Sequence, residues 1–279
     1  MASTRRYRLN ERTVSTFFQA AVLAATILVT LTASGRLRST VREFPTRPRL
    51  IAAWTLLFVV VASAIGIPAV NGPPAPSLSD LSLSSLFTGH YVLIAFLAAW
   101  WGLRRPVRLS RFLHLEGARW TDVGEGLALG VRVWGFTLGA AMLIGLLAQL
   151  VPLGGTGSTE IQVPQVPDVM IWMVRLPLAA KAVIILVAMT VEEAFFRAFL
   201  QTRIGLIPSS VLFAIAHASY GLPTLMVGVF VVSIILGRDF AKHGQLLRCI
   251  FGHGVFDAVQ LLVVVPFAVE QLQLLQSSG

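Results

Sequence analysis

The sequence predicts an all-α fold, a polytopic transmembrane helical bundle of seven or eight spans, and two observations support this. Of the 279 residues, 56% are hydrophobic and only 13% are charged, whereas soluble domains average about 25% charged residues. The hydrophobic residues also gather into runs of about 15 to 28, close to the ~20 that a helix needs to cross a bilayer. Backbone polar groups in lipid must pair internally, so these runs predict helices.

Eight apolar segments are predicted in chain order, and the sixth and seventh are short for full spans. They are Val14–Ser34, Ile51–Val70, Leu86–Leu103, Val123–Leu150, Leu176–Leu200, Leu206–Tyr220, Leu222–Gly237 and Leu246–Pro266. Between them, the stretches Asn71–Ser85 and Pro152–Pro167 contain the turn-forming residues Pro and Gly and are predicted as loops. The chain reads as one membrane domain, with N-terminal segments and loops over residues 1–175 and a C-terminal core over residues 176–266.

The orientation follows from the arginines that give the chain its net charge of +9. Arginines crowd the stretch Gly35–Leu50 and the loop after Leu103, whereas Asn71–Ser85 and Pro152–Met170 contain no Arg or Lys. Short basic loops favour the cytoplasmic side. Arginines also precede the first segment, so that segment need not span. Because the cations lie between apolar runs, we expect a lipid bilayer as the partner. We expect no nucleic-acid partner, because nucleic-acid binding would require a basic face on a soluble domain.

Two adjacent carboxylates, Glu192 and Glu193, lie inside the fifth apolar segment and are followed by Arg197. Glu193 and Arg197 stand at i, i+4 and can pair on one helix face. That leaves Glu192 without a local cation, and a partly desolvated carboxylate of this kind can act as a general base. The alternative is that both glutamates cap a helix end in water.

Two further polar pairs occupy the later segments. Phe213 and His217 are one helical turn apart, and so are His253 and Asp257. Each pair alone is weak, because a single membrane histidine is usually a structural hydrogen-bonding group. Counted from the basic segment ends at 1.5 Å per residue, however, Glu192, His217 and His253 lie at similar depths of about 12 to 21 Å. The sequence therefore predicts that they meet in a polar, water-filled cavity formed by the last four helices.

The order E-E-x-x-x-R, F-x-x-x-H and H-x-x-x-D on successive helices resembles the signature of the CAAX-protease and bacteriocin-processing family of intramembrane endopeptidases. The resemblance implies a membrane hydrolase in which Glu192 and His217 activate water and Glu193 pairs with Arg197. It implies that His253 and Asp257 position the scissile carbonyl or stabilise the oxyanion. The eukaryotic prenyl-peptidase members carry Asn where this chain has Asp257, which resembles prokaryotic members. We therefore expect a protein of a prokaryotic cell membrane, and the basic loops predict that its active-site cavity faces the cytoplasm.

A metal is the main mechanistic alternative. Glu192, His217 and His253 offer two imidazoles and a carboxylate, the ligand set of several catalytic zinc sites. The single cysteine, Cys249, cannot supply a Cys-based zinc site by itself. We expect no cofactor, with zinc and a metalloprotease mechanism as the alternative. The expected substrate is a membrane-associated peptide or protein, because lipid-borne chains reach such a site readily.

Two other classes of function compete with an endopeptidase. The first is a non-catalytic membrane scaffold or immunity protein of the same fold. The second is a proton-coupled transporter, in which chains of Glu and His relay protons. His90, at the start of the third segment, is interpreted as an interfacial residue and is given no chemical role.

Overall fold

The computed structural model describes residues 3–71, 81–150, 168–218 and 223–278, and none of these residues forms a β-strand. The α-helices are α1 Ser3–Ala33, α2 Arg38–Val41, α3 Arg47–Val61, α4 Ile67–Asn71, α5 Leu83–Leu86, α6 Thr88–Leu103, α7 Leu109–Phe112, α8 Trp120–Leu150, α9 Asp168–Arg175, α10 Leu178–Glu193, α11 Thr202–Ile204, α12 Leu206–Ala216, α13 Pro223–His243, α14 Leu246–Val259 and α15 Val265–Ser278. Three π-helical stretches, Ala62–Gly66, Ala194–Gln201 and Gln260–Val264, join neighbouring α-helices without a break.

Each of the eight predicted segments contains a helix, which confirms the all-α class. The ends differ in places, because α13 continues to His243, beyond the predicted end at Gly237. The short helix α9 begins at Asp168, within the stretch Pro152–Met170 that was predicted as a loop. Residues 72–80, 151–167 and 219–222 belong to the predicted loops or segment ends and lie outside the described residues.

Three helices are long and apolar enough to cross a membrane, namely Val14–Ala33, Arg47–Val70 and Leu246–Leu274. A fourth is counted if α9 and the helix Leu178–Ile204, which meet at a bend of 118°, form one broken span. Within the described part of the chain, length and apolarity thus support a helical membrane protein, with three or four spans by this measure instead of the predicted seven or eight.

An aromatic cluster fixes α6 beside the π-helical stretch Ala194–Gln201. The ring of Phe199 lies 4.9 Å from that of Phe96 and 4.8 Å from that of Trp100, both in edge-to-face geometry. Phe195 also contacts Phe96, at 5.7 Å. Edge-to-face pairs of this kind stabilise beyond their buried area. The contacts follow the same order along both helices, which therefore run in the same direction. Residues before the aromatic cluster on α6 consequently lie beside residues before it on α10.

Glycines allow α8 to approach α14 closely. A Cβ added to Gly126 would lie 2.7 Å from the carbonyl oxygen of Arg248, and one added to Gly130 would lie 2.8 Å from that of Gly252. Because both obstacles are backbone atoms, a larger residue could not be accommodated by a change of rotamer. Small residues four apart serve this purpose in membrane helix pairs. The contact holds the middle of α14, and with it His253, in a fixed position.

Gly205 allows the chain to turn from α11 into α12. Its φ of 88° is in the region that favours glycine. The turn directs α12 back along the π-helical stretch, where Phe213 meets Phe196 at 4.8 Å in edge-to-face geometry. His217, at the C-terminal end of α12, is thereby brought to the level of Glu192.

Candidate active site

Glu192 and Glu193 are the last two residues of α10, and the π-helical stretch Ala194–Gln201 begins directly after them. Single π-helical turns occur frequently at functional sites. Successive helical residues differ by about 100°, so the two carboxylates point to different sides. The Glu193 side chain is fully buried, and that of Glu192 is 12% exposed.

Glu193 is bound through both of its carboxylate oxygens. Arg197 Nε donates to Glu193 Oε2 at 2.9 Å, the predicted i, i+4 pair. His253 Nδ1 lies 3.0 Å from Glu193 Oε1. Arg197 also donates through Nη1 to Ser233 Oγ on α13, at 3.0 Å. Glu193, Arg197 and Ser233 are completely buried, so this ion pair stands in a dry environment where each charge depends on its partners.

His253 lies between two carboxylates. Besides its contact with Glu193, its Nε2 is 3.4 Å from Asp257 Oδ2, so the predicted i, i+4 approach is present. The 3.0 Å contact with Glu193 is a hydrogen bond, and the 3.4 Å approach to Asp257 is within ion-pair distance. With Asp257 included, two carboxylates face the guanidinium of Arg197 and the ring of His253. We call Glu193, Arg197, Ser233, His253 and Asp257 the Glu193 cluster.

Glu192 lies between two other histidines. His90 Nε2, on α6, is 3.0 Å from Glu192 Oε1, and His217 Nε2 is 3.8 Å from Glu192 Oε2. The Nδ1 of His217 is 2.8 Å from the carbonyl oxygen of Phe213. A carbonyl only accepts hydrogen bonds, so Nδ1 carries a hydrogen, and when the ring is neutral its Nε2 is an acceptor that faces Glu192. We call Glu192, His90 and His217 the Glu192 cluster.

Glu192 Oε2 accepts no hydrogen bond from the residues that the structure describes, although it is buried. Buried polar atoms are normally satisfied by protein or by water. Oε2 and the His217 Nε2 that faces it are both acceptors, so a protein hydrogen bond between them would need an added proton. The pair is suited to a small donor such as water.

Phe213 joins the two clusters. Its ring centroid lies 4.6 Å from that of His217 and 6.1 Å from that of His253. The guanidinium carbon of Arg197 is 5.3 Å from the same ring, within the range of cation–π contacts. The four-residue spacing of Phe213 and His217 therefore allows two contacts. The Phe213 carbonyl orients the His217 imidazole, and the Phe213 ring packs against the same imidazole.

His90 was interpreted as an interfacial residue without a chemical role, but it lies within hydrogen-bonding distance of Glu192. The polar site predicted for the last four helices therefore also includes a residue of α6. The physical reason is the aromatic cluster, which holds α6 parallel to α10. The signal was present in the sequence, because His90 is an ionisable residue in an apolar segment, the same property that drew attention to Glu192.

Among the residues that the structure describes, no group of three or more His, Cys, Asp and Glu side chains is placed to hold a metal ion. In the proposed ligand set of Glu192, His217 and His253, it is His253 that cannot bind the same ion as the other two. Both ring nitrogens of His253 face carboxylates, Glu193 and Asp257, so neither is directed towards Glu192 and His217. This donor set does not fit a zinc ion, which needs a free imidazole nitrogen from each histidine.

A protein-family model matches the part of the chain that contains both glutamates. Residues 174–259 match the family described as type II CAAX prenyl endopeptidase, Rce1-like. The chain contains an Rce1-like domain. The resemblance inferred from the sequence motifs is thereby confirmed. The Rce1-like domain includes every predicted site residue from Glu192 to Asp257, whereas His90 lies outside it. With its apolar helices, the chain is an integral membrane protein with a protease-type domain.

The chain also shares a stretch with a curated protein of another kind. It is 37% identical over 93 residues to the probable multidrug resistance protein NorM of Xanthomonas campestris pv. campestris. The aligned stretch covers 31% of this chain and 18% of that relative. No solved structure gives a significant match to the chain.

Proposed function

We propose that the protein is an intramembrane endopeptidase that hydrolyses a peptide bond of a membrane-associated substrate with water activated by Glu192 and His217. The observation that carries the proposal is the 3.8 Å separation of Glu192 Oε2 and His217 Nε2. Both atoms are acceptors, and together they can receive the two hydrogens of one water molecule. The Rce1-like family of residues 174–259 supports the reaction class.

In this reaction Glu192 acts as the general base. It takes a proton from the water as the oxygen attacks the scissile carbonyl, and it can then give that proton to the leaving amine. His217 holds the water through Nε2, while its Nδ1 hydrogen bond to the Phe213 carbonyl keeps the ring in one orientation. His90, bound to the other oxygen of Glu192, fixes the carboxylate and leaves Oε2 for the water.

The Glu193 cluster supports this chemistry by its charge and its rigidity. His253 is linked to the Glu192 cluster through the Phe213 ring, which packs against both His217 and His253. Because both of its ring nitrogens face carboxylates, His253 offers the developing oxyanion a positive charge and no free N–H group. Preorganised charge of this kind is often the largest contribution to catalysis. Asp257 holds the ring in place, and Arg197 pairs with Glu193. No step is assigned to a metal, since the donor set does not fit one.

The remaining features of the proposal come from the sequence. The eight apolar segments form a bundle of seven or eight helices, in which residues 1–175 surround a catalytic core at residues 176–266. The arginine-rich loops face the cytoplasm, so the site opens to that side of a prokaryotic cell membrane. A substrate that is itself held in the bilayer reaches Glu192 by lateral diffusion.

The test is cleavage by the full-length protein in liposomes that contain a fluorescent peptide anchored by a C-terminal prenyl group or by an apolar helix. We expect Glu192→Gln to lower the cleavage rate by about 10²- to 10⁴-fold, the usual contribution of a general base. Glu270→Gln is the matched control, because Glu270 is an exposed carboxylate on α15. A metal chelator should leave the rate unchanged. Undiminished cleavage by Glu192→Gln would refute the proposal.

Proton-coupled transport is the second candidate. Two observations favour it, namely the His90, Glu192 and His217 chain, which resembles a proton relay, and the partial similarity to a probable multidrug resistance protein. The same liposomes separate the candidates. A transporter would move a dye or protons across the membrane and leave the anchored peptide intact, and a scaffold of the same fold would do neither.

A further inference from the structure

A second cluster of charged side chains lies away from the active site, at the far end of the same helical segment. A cavity of about 270 Å³ is lined by Arg104, Arg111, Arg203, His114, Glu43 and Thr202, among others. We call it the basic cavity. Thr202 follows Glu192 by ten residues, about 15 Å at 1.5 Å per residue. None of its lining residues belongs to the Glu192 or Glu193 cluster, so its charges are not explained by peptide hydrolysis.

Positive charge is in excess in the basic cavity. Its three arginines face one carboxylate, and a single oxygen of that carboxylate serves two of them. Glu43 Oε2 is 2.7 Å from Arg203 Nη2 and 3.6 Å from Arg104 Nε. Arg111 forms no ion pair with any residue that the structure describes. The cavity therefore carries a net positive charge that a bound anion would neutralise.

Two buried hydrogen-bond donors in the basic cavity also lack acceptors. The Nε atoms of Arg104 and Arg203 make no hydrogen bond within the described part of the chain, although both are buried. The Arg203 side chain is only 8% exposed, so bulk water does not readily replace the missing acceptor. Unsatisfied buried donors are uncommon, and here they leave the positive charge of both arginines only partly compensated by the protein.

His114 is held in an unusual backbone conformation at this cavity. Its φ of 54° is the only positive value at a non-glycine residue in the described ranges. The backbone there is fixed by a hydrogen bond from Leu246 N to the His114 carbonyl, at 3.1 Å. Burial, and then Arg203, lower the pKa of the His114 imidazole, so at neutral pH it offers an N–H donor without adding charge. Uncommon backbone conformations that are maintained in this way concentrate at ligand sites.

The position of the cavity indicates which anion it binds. It lies at the arginine-rich end of α6, where Trp101 donates to the carbonyl of the lining residue Val107 at 2.9 Å. Tryptophans at helix ends mark the membrane interface, the depth of the lipid headgroups. The cavity volume is slightly below the ~300 to 1,000 Å³ that is typical of pockets for whole small molecules. A cavity of this size suits a single anionic group.

We propose that the basic cavity binds a phosphate group, supplied by the headgroup of an anionic phospholipid. Guanidinium groups form strong, charge-assisted hydrogen bonds to phosphate oxygens, and basic pockets beside transmembrane helices bind acidic headgroups. The lipid phosphate accepts from Arg104, Arg203 and Arg111. This site is separate from the proposed peptidase site, and its test does not depend on peptide cleavage.

The experiment uses the full-length protein in nanodiscs that contain phosphatidylcholine with or without phosphatidylglycerol, and native mass spectrometry counts the lipids that remain bound. We expect the protein to retain phosphatidylglycerol preferentially. Arg111→Gln should lower that preference about fivefold, the effect of one arginine at a membrane surface. Arg108→Gln is the matched control, since Arg108 is a neighbouring exposed arginine that pairs with Glu116 at 2.9 Å and does not line the cavity. Thermal unfolding verifies that both variants are folded.

Each outcome supports or overturns the proposal. Preferential retention that Arg111→Gln weakens and Arg108→Gln preserves supports it. Equal effects of the two variants would show general attraction to basic loops and overturn it, as would the absence of any preference in the wild type. A third arm adds inorganic phosphate. Displacement of the lipid by phosphate identifies the recognised group, whereas phosphate binding without lipid retention would overturn the lipid as its source.

Discussion

The two glutamates at the end of α10 are adjacent in sequence but stand in opposite environments. Glu193 is completely buried, and both of its oxygens are bound, one to Arg197 and the other to His253. Glu192 is 12% exposed, and only one of its oxygens has a protein hydrogen-bond partner. A helix of 100° per residue turns one carboxylate into the core and the other towards His90 and His217.

The comparison separates two uses of a buried carboxylate. In the Glu193 cluster the charges are matched and the hydrogen bonds nearly complete, so the cluster serves to fix helices and orient His253. In the Glu192 cluster an acceptor remains available, which a general base requires. Substitutions in the first cluster should therefore act mainly on stability, and substitutions in the second should act mainly on activity.

The largest effect is expected from Arg197→Met. It leaves Glu193 buried with one cation fewer, and removal of one partner from a buried ion pair typically costs about 3 to 5 kcal/mol. We expect a loss of that size in the free energy of unfolding, measured by titration with a denaturing detergent. Arg132→Met is the control, because Arg132 on α8 is exposed. Similar stability in the two variants would contradict the structural role of the Glu193 cluster.

His217→Asn should show the opposite behaviour. Asparagine can replace the Nδ1 donor to the Phe213 carbonyl, but it is too short to place an acceptor where Nε2 now lies, so the water loses one of its two hydrogen-bond partners. We expect peptide cleavage to fall about 100-fold, while the free energy of unfolding changes by no more than about 1 kcal/mol. Cleavage kinetics and detergent titration of the same preparation provide both values. A variant that loses stability and activity in proportion would place His217 with the structural residues.

Ser233→Ala is a smaller change within the Glu193 cluster. It removes the acceptor of the 3.0 Å hydrogen bond from Arg197 Nη1 in a fully buried position. A buried donor that is left unsatisfied costs about 1 to 3 kcal/mol. We expect that destabilisation, with cleavage reduced less than tenfold once the fraction of unfolded protein is taken into account. Ser63→Ala, at a partly buried serine on another helix, is the control.

The sequence was sufficient for the fold class and for the local pairs of the site. Each of the eight hydrophobic runs contains a helix, although the number of spans was not supported. The i, i+4 rule predicted the contacts of Glu193 with Arg197 and of His253 with Asp257. These inferences succeed because they depend on one helix at a time. The depth argument also brought Glu192 and His217 to the same level, and the structure places them 3.8 Å apart.

Contacts between helices distant in the chain could not be derived in this way. The contact between His90 and Glu192 joins residues that are 102 positions apart and depends on the packing of Phe96 and Trp100 against Phe199. Neither hydropathy nor helical periodicity specifies which helices become neighbours. The same limitation applies to Arg203, whose burial no local pattern of the sequence indicates. In the structure it is buried, with its guanidinium carbon 4.0 Å from the Phe199 ring centroid.

His90→Gln tests the contribution of that distant contact, and it is the smallest effect that we expect. The glutamine amide reaches the position of Nε2 and can still donate to Glu192, but its flexible side chain holds the carboxylate less firmly. If His90 positions Glu192 and does not touch the reacting water, kcat should fall about tenfold, the KM for the anchored peptide should change little, and stability should be preserved. His90→Ala should be more impaired than His90→Gln, because only the latter retains a donor. Equal activity in both variants and the wild type would mean that Glu192 needs no partner beyond His217, and the site would then lie entirely within the Rce1-like domain.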